Sequence, residues 1–271
     1  MKTNIKTIAL GFLGMFLFAA PARADVVTQY SFENNLEDTA PSGVSFDNLS
    51  VFGAGRAESY EAGIVGQAVR ISDGATNAFR LRAADSDDLD LAADWTLEAF
   101  VKPDLANVGE WERFWTKWGD GGNEWHTAFR STGAVTVENG LDLFINGSNN
   151  ILNSNNTAEV PLDEWSHVAF VGNSAANTVT AWLNGNEVGS AGYVAVTAGG
   201  GGMSFGNFSA GPDALQYLGL IDEALIHDSA VSEAYLQGRA ALLVIPEPSS
   251  VSLAVLGVLA LLGWTRRRRN R

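Results

Sequence analysis

Apolar and polar residues alternate with a period of two over much of the chain, which predicts short half-buried strands. Trp95-Thr-Leu-Glu-Ala-Phe-Val-Lys102 is the longest such run and is closed by Pro103; His167-Val-Ala-Phe-Val171 is another. Thr178 to Leu183, followed by Asn184-Gly185 and Asn186 to Val188, predicts a hairpin, because Asn-Gly favours the turn whose twist matches that of paired strands. Leu141 to Ile145, Asn146-Gly147 and a returning strand from Ile151-Leu152 repeat the pattern. Helical periodicity is confined to Val231 to Ala240, where Ser229 or Ser232 supplies an N-cap. Many short strands separated by turn residues, in a chain with 29 glycines, predict an all-β sandwich or barrel.

The two ends follow other patterns. Lys2 and Lys6 precede an apolar run from Ile8 to Ala20, and Ala22-Arg23-Ala24 is a small-x-small site, so residues 1–24 read as a signal peptide cleaved between Ala24 and Asp25. The run is shorter than the roughly 20 residues that cross a bilayer comfortably, which argues against a retained anchor. In residues 244–271, Pro246-Glu247-Pro248 leads into an apolar stretch from Val251 to Trp264 and then Arg266, Arg267, Arg268 and Arg269. The stretch suits a short transmembrane helix, and the arginines hold its end in the cytoplasm and orient the rest of the chain outward.

Between these ends lie about 220 residues, enough for one domain with a real core. That span holds 9 of the 17 basic residues and 30 of the 31 acidic ones, for a net charge of −21. Such a charge argues against nucleic acid and anionic lipid as partners and suits cations and neutral or basic ones. The absence of cysteine excludes thiol catalysis, Cys-ligated zinc and iron–sulfur chemistry, and leaves an exported fold without disulfides.

The motif, apolar stretch and arginine cluster together resemble the PEP-CTERM sorting signal of Gram-negative bacteria. The resemblance implies processing by an exosortase after signal peptidase has acted. It also implies anchorage in the inner membrane through the C-terminal helix, followed by delivery to the cell surface or the exopolysaccharide matrix.

A second resemblance spans residues 25–243. Tyr30-Ser-Phe-Glu-Asn-Asn-Leu-Glu-Asp38, Gly63-Ile-Val-Gly-Gln-Ala68 and Trp95 to Pro103 resemble successive segments of laminin-G-like, concanavalin A-like domains. Glu164-Trp-Ser-His-Val-Ala169, Trp182-Leu-Asn-Gly185 and Gly219-Leu-Ile-Asp-Glu-Ala224 continue the series in order. The resemblance implies a jelly-roll β-sandwich of two curved antiparallel sheets.

Candidate chemistry is of three kinds. Glycoside hydrolysis needs two carboxylates about 5–10 Å apart, which enzymes of this superfamily carry in a Glu-x-Asp-x-x-Glu run. No such run is present: Glu98 is alone on its strand, and Asp85, Asp87, Asp88 and Asp90 read as a solvated loop. His126, His167 and His227 show no metal-ligand spacing, and His167 reads as structural. The reading is therefore non-catalytic.

The second kind is calcium. Domains of this superfamily often hold a structural Ca2+ with an acidic side chain of the last strand and carbonyls of the first strand and a glycine turn. The resemblance places these roles on Asp222, Glu33 and Gly66, while a purely local capping role for Asp222 stays open.

The third kind is sugar stacking. Trp111, Trp115, Trp118 and Trp125 crowd one segment; Trp115 and Trp118 fit core positions on a strand, whereas Trp111 and Trp125 are placed in flanking loops beside Asp120, Asn123 and Glu124. The expectation is a lectin-like module for a glycan or exopolysaccharide, with a structural or protein-adhesion module of the same fold as the alternative.

Overall fold

The structure, a computed structural model, describes residues 24–43, 47–52, 57–71, 80–91, 93–104, 112–119, 122–130, 140–147, 149–152, 158–207 and 217–244. The strands in chain order are β1 (Val26–Tyr30), β2 (Ser50–Phe52), β3 (Tyr60–Ala62), β4 (Gln67–Ile71), β5 (Arg80–Ala83), β6 (Trp95–Pro103), β7 (Glu112–Gly119) and β8 (Gly122–Arg130). They continue with β9 (Gly140–Ile145), β10 (Asn149–Leu152), β11 (Ser166–Asn173), β12 (Thr178–Leu183), β13 (Asn186–Gly192), β14 (Met203–Phe205) and β15 (Gly219–His227), followed by helix α1 (Glu233–Ala240).

Two antiparallel sheets form. Sheet A runs β13-β12-β11-β6-β15-β4-β3, with β1 also paired to β15; sheet B runs β10-β9-β8-β7-β14-β5-β2. The core fills the space between them, and alternate residues of each strand enter it. Trp95, Leu97, Ala99 and Val101 of β6 face Trp115 of β7, Trp125 and Phe129 of β8, Leu141, Leu143 and Ile145 of β9 and Phe205 of β14 within one buried cluster. Each large apolar side chain so buried contributes about 1.5–3 kcal/mol, which lets the fold stand without disulfides.

Both Asn-Gly turns form as the alternation predicts. Asn184 and Gly185 take φ +51° and +76°, and Asn146 and Gly147 take +50° and +91°, the left-handed pair that suits a two-residue hairpin. Helix α1 starts where Ser232 caps it, its side chain accepting from the Tyr235 N–H at 3.3 Å. Pro103 closes β6 from inside the strand as its last residue.

Residues 1–23 and 245–271 lie outside the described residues, and with them the signal peptide, the sorting motif and the transmembrane stretch read from the sequence. Among the described residues no helix is long and apolar enough to cross a membrane.

Candidate functional site

The outward faces of the two sheets have different chemistry. On sheet A, Leu225, Glu98, Ala169 and Trp182 lie in one row across β15, β6, β11 and β12. Helix α1 packs over this face, with Leu236 buried against Ala169 and Val171. Glu98, 1% exposed, accepts from His167 Nε2 at 2.7 Å, His227 Nε2 at 2.9 Å, Tyr235 Oη at 2.7 Å and Arg239 Nε at 3.3 Å. Burial opposes its ionisation, but the bonds from His167 and His227 and the Arg239 charge outweigh that and hold the carboxyl well below the usual range. Glu98 therefore has company that sequence spacing did not reveal. His167, fully buried at the start of β11, is one of the four partners of Glu98.

On sheet B, the row Ser50, Arg82, Ser204, Thr116, His126 and Phe144 crosses β2, β5, β14, β7, β8 and β9 in unbroken register. These residues alternate with the core members Leu81, Met203, Phe205, Trp115, Trp125 and Leu143 and so point away from the core. Arg113, Ala128 and Asp142 form the adjoining row.

Three rings meet on this face. His126 stacks on Phe144 with ring centres 4.2 Å apart and planes at 12°, and Trp118 meets its edge at 4.7 Å. Burial, and secondarily the charge of Arg113, hold the His126 imidazole well below its usual pKa, so at neutral pH it is an uncharged flat ring. Burial pushes the Arg113 guanidinium down to about 10, which leaves it charged at neutral pH. At the edge of the face, Arg80 lies over the Phe52 ring at 4.2 Å, and Arg82 lies 5.9 Å from it.

The tryptophan assignment from the sequence needs correction. Trp125 is not in a loop: it lies within β8, opposite Lys117 of β7, and is 0% exposed in the core. Trp118, expected in the core, instead lies on β7 beside His126 and is half-buried. Trp118 is an odd three residues beyond the core Trp115 on β7, so alternation alone turns it to the outward face. Asn123 sits on β8 paired with Trp118; Trp111 and Asp120 lie outside the described residues.

Nor is the Asp85–Asp90 stretch simply solvated. Asp85, Asp90 and Glu124 surround Lys117, with Nζ 2.8 Å from Asp85 and 2.7 Å from Glu124 and in contact with Asp90. Lys117 is fully buried. Burial disfavours its ammonium, but the three carboxylates outweigh that and push its pKa up. For Glu124 burial wins over Lys117, and its carboxyl is pushed up to about 7. The three carboxylates have the spacing of a cation site, and the Lys117 ammonium is the cation among them.

Asp222, Glu33 and Gly66 do come together. Asp222 Oδ2 accepts from the Ile64 and Val65 N–H groups at 2.8 and 3.0 Å, and Glu33 Oε1 accepts from the Gln67 N–H at 3.4 Å. A Cβ on Gly66, at φ +61°, would lie 2.3 Å from the Glu33 carboxylate, and one on Gly63 would lie 2.5 Å from Asp222 Oδ2. The two acids thus close on one glycine turn. Asp222 Oδ1 is buried without a hydrogen-bond partner, and burial pushes the carboxyl up to about 7.

An orphaned buried oxygen beside a second carboxylate fits a hard cation. The carbonyls of Glu33 and Gly66 already accept bonds, from Asn35 Nδ2 and from the Gly63 N–H respectively. The Glu33 side chain is therefore the better-placed donor. Glu223, at φ +48° in a bulge of β15, turns Asp222 and Leu225 to the same outer face.

This architecture agrees with a family match. The profile described as the concanavalin A-like lectin/glucanases superfamily covers residues 73–237. The chain belongs to that superfamily. Domain 4 of AbnA, an extracellular arabinanase of Geobacillus stearothermophilus solved with arabinotriose, is 21% identical with a TM-score of 0.61, over 80% of this chain and 98% of that one. The binding domain of botulinum neurotoxin DC, solved with SialylT, is 11% identical with a TM-score of 0.57, over 81% of this chain and 51% of that one. A botulinum neurotoxin type C structure, whose cell entry depends on two ganglioside molecules, is 12% identical with a TM-score of 0.58, over 81% and 51%. No curated protein matches the sequence. At these identities the likeness concerns the fold.

Trp118, His126 and Phe144 were missed as a group by the sequence reading. The signal was present in the period-two alternation of β8 and β9, which places His126 and Phe144 opposite Trp125 and Ile145 in facing.

Proposed function

We propose that the superfamily domain of this chain is a non-catalytic glycan-binding module, with the outward face of sheet B as its binding surface. The observation that carries the reading is the Trp118–His126–Phe144 group: two half-buried rings, Trp118 and Phe144, set against the buried, uncharged His126 ring on one sheet face. Such rings pack against the C–H faces of a pyranose while polar neighbours bond its hydroxyls. The arabinotriose and ganglioside associations of the similar structures support the same chemistry. Non-catalysis is supported by the buried carboxylates Glu98 and Glu124, each held to partners inside the fold.

The module is exported in this proposal. Signal peptidase removes residues 1–24. The 244–271 segment is handled by an exosortase, first anchoring the chain in the inner membrane of a Gram-negative bacterium and then releasing it to the surface or the exopolysaccharide matrix. A structural Ca2+ sits between Asp222 and Glu33, supplying charge compensation for two carboxylates at one turn and tying β15 to the loop before β4.

The test of binding is a polysaccharide panel probed with the full chain and with Trp118→Ala. Retention of at least one glycan by the parent, weakened at least about tenfold by a change worth ~1.4 kcal/mol, is expected. Uniform absence of binding, with and without Ca2+, would leave the adhesion or structural alternative. For the metal, added Ca2+ should raise the melting temperature by a few degrees and a chelator should reverse it, an effect that Asp222→Asn abolishes. A melting temperature indifferent to chelator removes the site.

A further inference from the structure

Seven described residues other than glycine take a left-handed backbone conformation, and five of them are asparagine or aspartate, which adopt it most readily. The other two are Phe32, at φ +54°, and Glu223, at φ +48°. Phe32 immediately precedes Glu33, and Glu223 immediately follows Asp222. The two least accommodating positions of the described backbone therefore adjoin the two acids that close on the 63–66 turn. Such a conformation persists only where surrounding contacts hold it. At Glu223 the contact comes from α1. Arg239 Nη2 donates to the Glu223 carbonyl at 3.3 Å, and Arg239 Nη1 lies 3.7 Å from its carboxylate. Arg239 Nε donates to Glu98 at 3.3 Å, beside Tyr235 of the same helix, whose Oη donates to Glu98 at 2.7 Å.

We infer that Arg239 is a positioning residue for the cation site of the 63–66 turn: by splinting Glu223 it aims Asp222 at the turn, so that a bound cation and the docking of α1 strengthen one another. This rests on the Ca2+ reading above and adds to it a residue that touches no proposed ligand atom, together with a link to the last helix of the domain. Asp222 pairs with Phe100 of β6 and Leu225 with Glu98, so three steps along β15 match two along β6, and Glu223 lies within the surplus. On a regular strand residues three apart face opposite sides. The bulge is therefore what lets Asp222 point outward to the turn while Ala224 and Ile226 stay in the core. Charge runs along the same path. Glu223 feels Glu33 at the turn and Glu98 under α1, and Asp222 feels Glu223, so four carboxylates share one stretch of the sheet. Arg239 faces two of them, Glu98 and Glu223, and a cation at the turn faces the other two. Withdrawing either positive charge leaves its pair of acids to repel the remaining pair. The guanidinium spans the Glu98 carboxylate and the Glu223 carbonyl only while α1 is docked, so whatever favours the bulge favours docking by the same factor.

The experiment is hydrogen exchange of the full chain in Ca2+ and in chelator, joined to calorimetric Ca2+ titrations of the parent, Arg239→Gln and Arg239→Lys. Ca2+ should slow amide exchange in Glu233–Ala240 by about fivefold or more, and Arg239→Gln should bind Ca2+ at least about fivefold more weakly than the parent. Arg239→Lys, which keeps the charge and loses the planar fork, should fall between the two. A role for Arg239 in anchoring the helix alone would lower the melting temperature and leave the affinity where it was. Unchanged exchange in α1, or an Arg239→Gln affinity equal to the parent's, thus overturns the inference, while a Ca2+-dependent rise in the parent's melting temperature keeps the site. A parent that binds no Ca2+ in any of these measurements overturns both. The exchange arm needs only the parent and decides the question alone should Arg239→Gln not fold.

Discussion

The two outward faces of the sandwich are built from the same alternation of residues and end in opposite states. Sheet A hides its face under α1 and fills it with Leu236, Ala169 and Val171 around Glu98, whose carboxylate has four donors within 3.3 Å. Sheet B carries no described helix; its face is rings, hydroxyls and guanidinium groups. Glu98 holds the fold under α1; on sheet B Thr116 and Ser204 are buried and donate to the Asn207 carbonyl, while Trp118 and Phe144 remain half-buried. The ion clusters repeat the contrast. Glu98 is an anion ringed by donors and is held ionised, whereas Lys117 is a cation ringed by three carboxylates, one of which, Glu124, is pushed up to about 7.

The largest effect should come from Glu98→Ala. Removing the shared acceptor strands His167, His227 and Arg239 beneath α1, and breaking a buried ion pair from one side costs about 3–5 kcal/mol. Urea denaturation should show that loss, while the folded fraction matches the parent in the polysaccharide panel proposed above; a parallel loss there at full folding would join the two faces.

Next is the pH response of the Lys117 cluster. Glu124 ionises near 7 in the fold but near 4.3 in an unfolded chain, a difference of roughly 2–4 kcal/mol. Because the folded state holds the proton across that window, stability falls as pH rises from about 4 to about 7. Glu124→Gln should flatten that fall, as read by denaturation at pH 4.5 and 7.5; an unchanged slope would assign it to another group.

The smallest effect is expected from Ser232→Ala, which removes the N-cap of α1 at a cost of about 1 kcal/mol. Hydrogen exchange should quicken in α1 and on the sheet A face under it, with sheet B unaffected. Faster exchange in β7 to β9 would show that the faces are mechanically coupled.

Much of the scaffold was legible in the residues because turns and caps are local. Asn184-Gly185, Asn146-Gly147 and Ser232 each specify a conformation within four residues, and each formed as expected. The site was less legible for two reasons. β6 and β15 are buried on both faces, so alternation alone does not say which residues meet the other sheet and which meet α1. Trp118 stands an odd three residues after the core Trp115 and so faces outward, and a bulge at Glu223 puts Asp222 and Leu225, also three residues apart, on the same face. Partnerships such as Lys117 with Asp90, or Glu98 with His227, join residues 27 and 129 positions apart, and composition carries no trace of them. Asp222, Glu33 and Gly66 were found from their resemblance to a known pattern, and they do share one turn.

The way the chain enters and leaves the sandwich has a mechanical consequence. β1 runs beside the end of β15, where Asp228 N–H bonds the Asp25 carbonyl at 3.2 Å, and α1 follows directly. Tension applied beyond Val244 is therefore taken up by α1, whose few side-chain attachments peel in series. Only after they yield does the load reach β15, which is stitched along its length by β1, β4 and β6. Sheet B shares no strand with that line of force, so pulling from that end can cost the molecule its helix while the ring-bearing face keeps its shape.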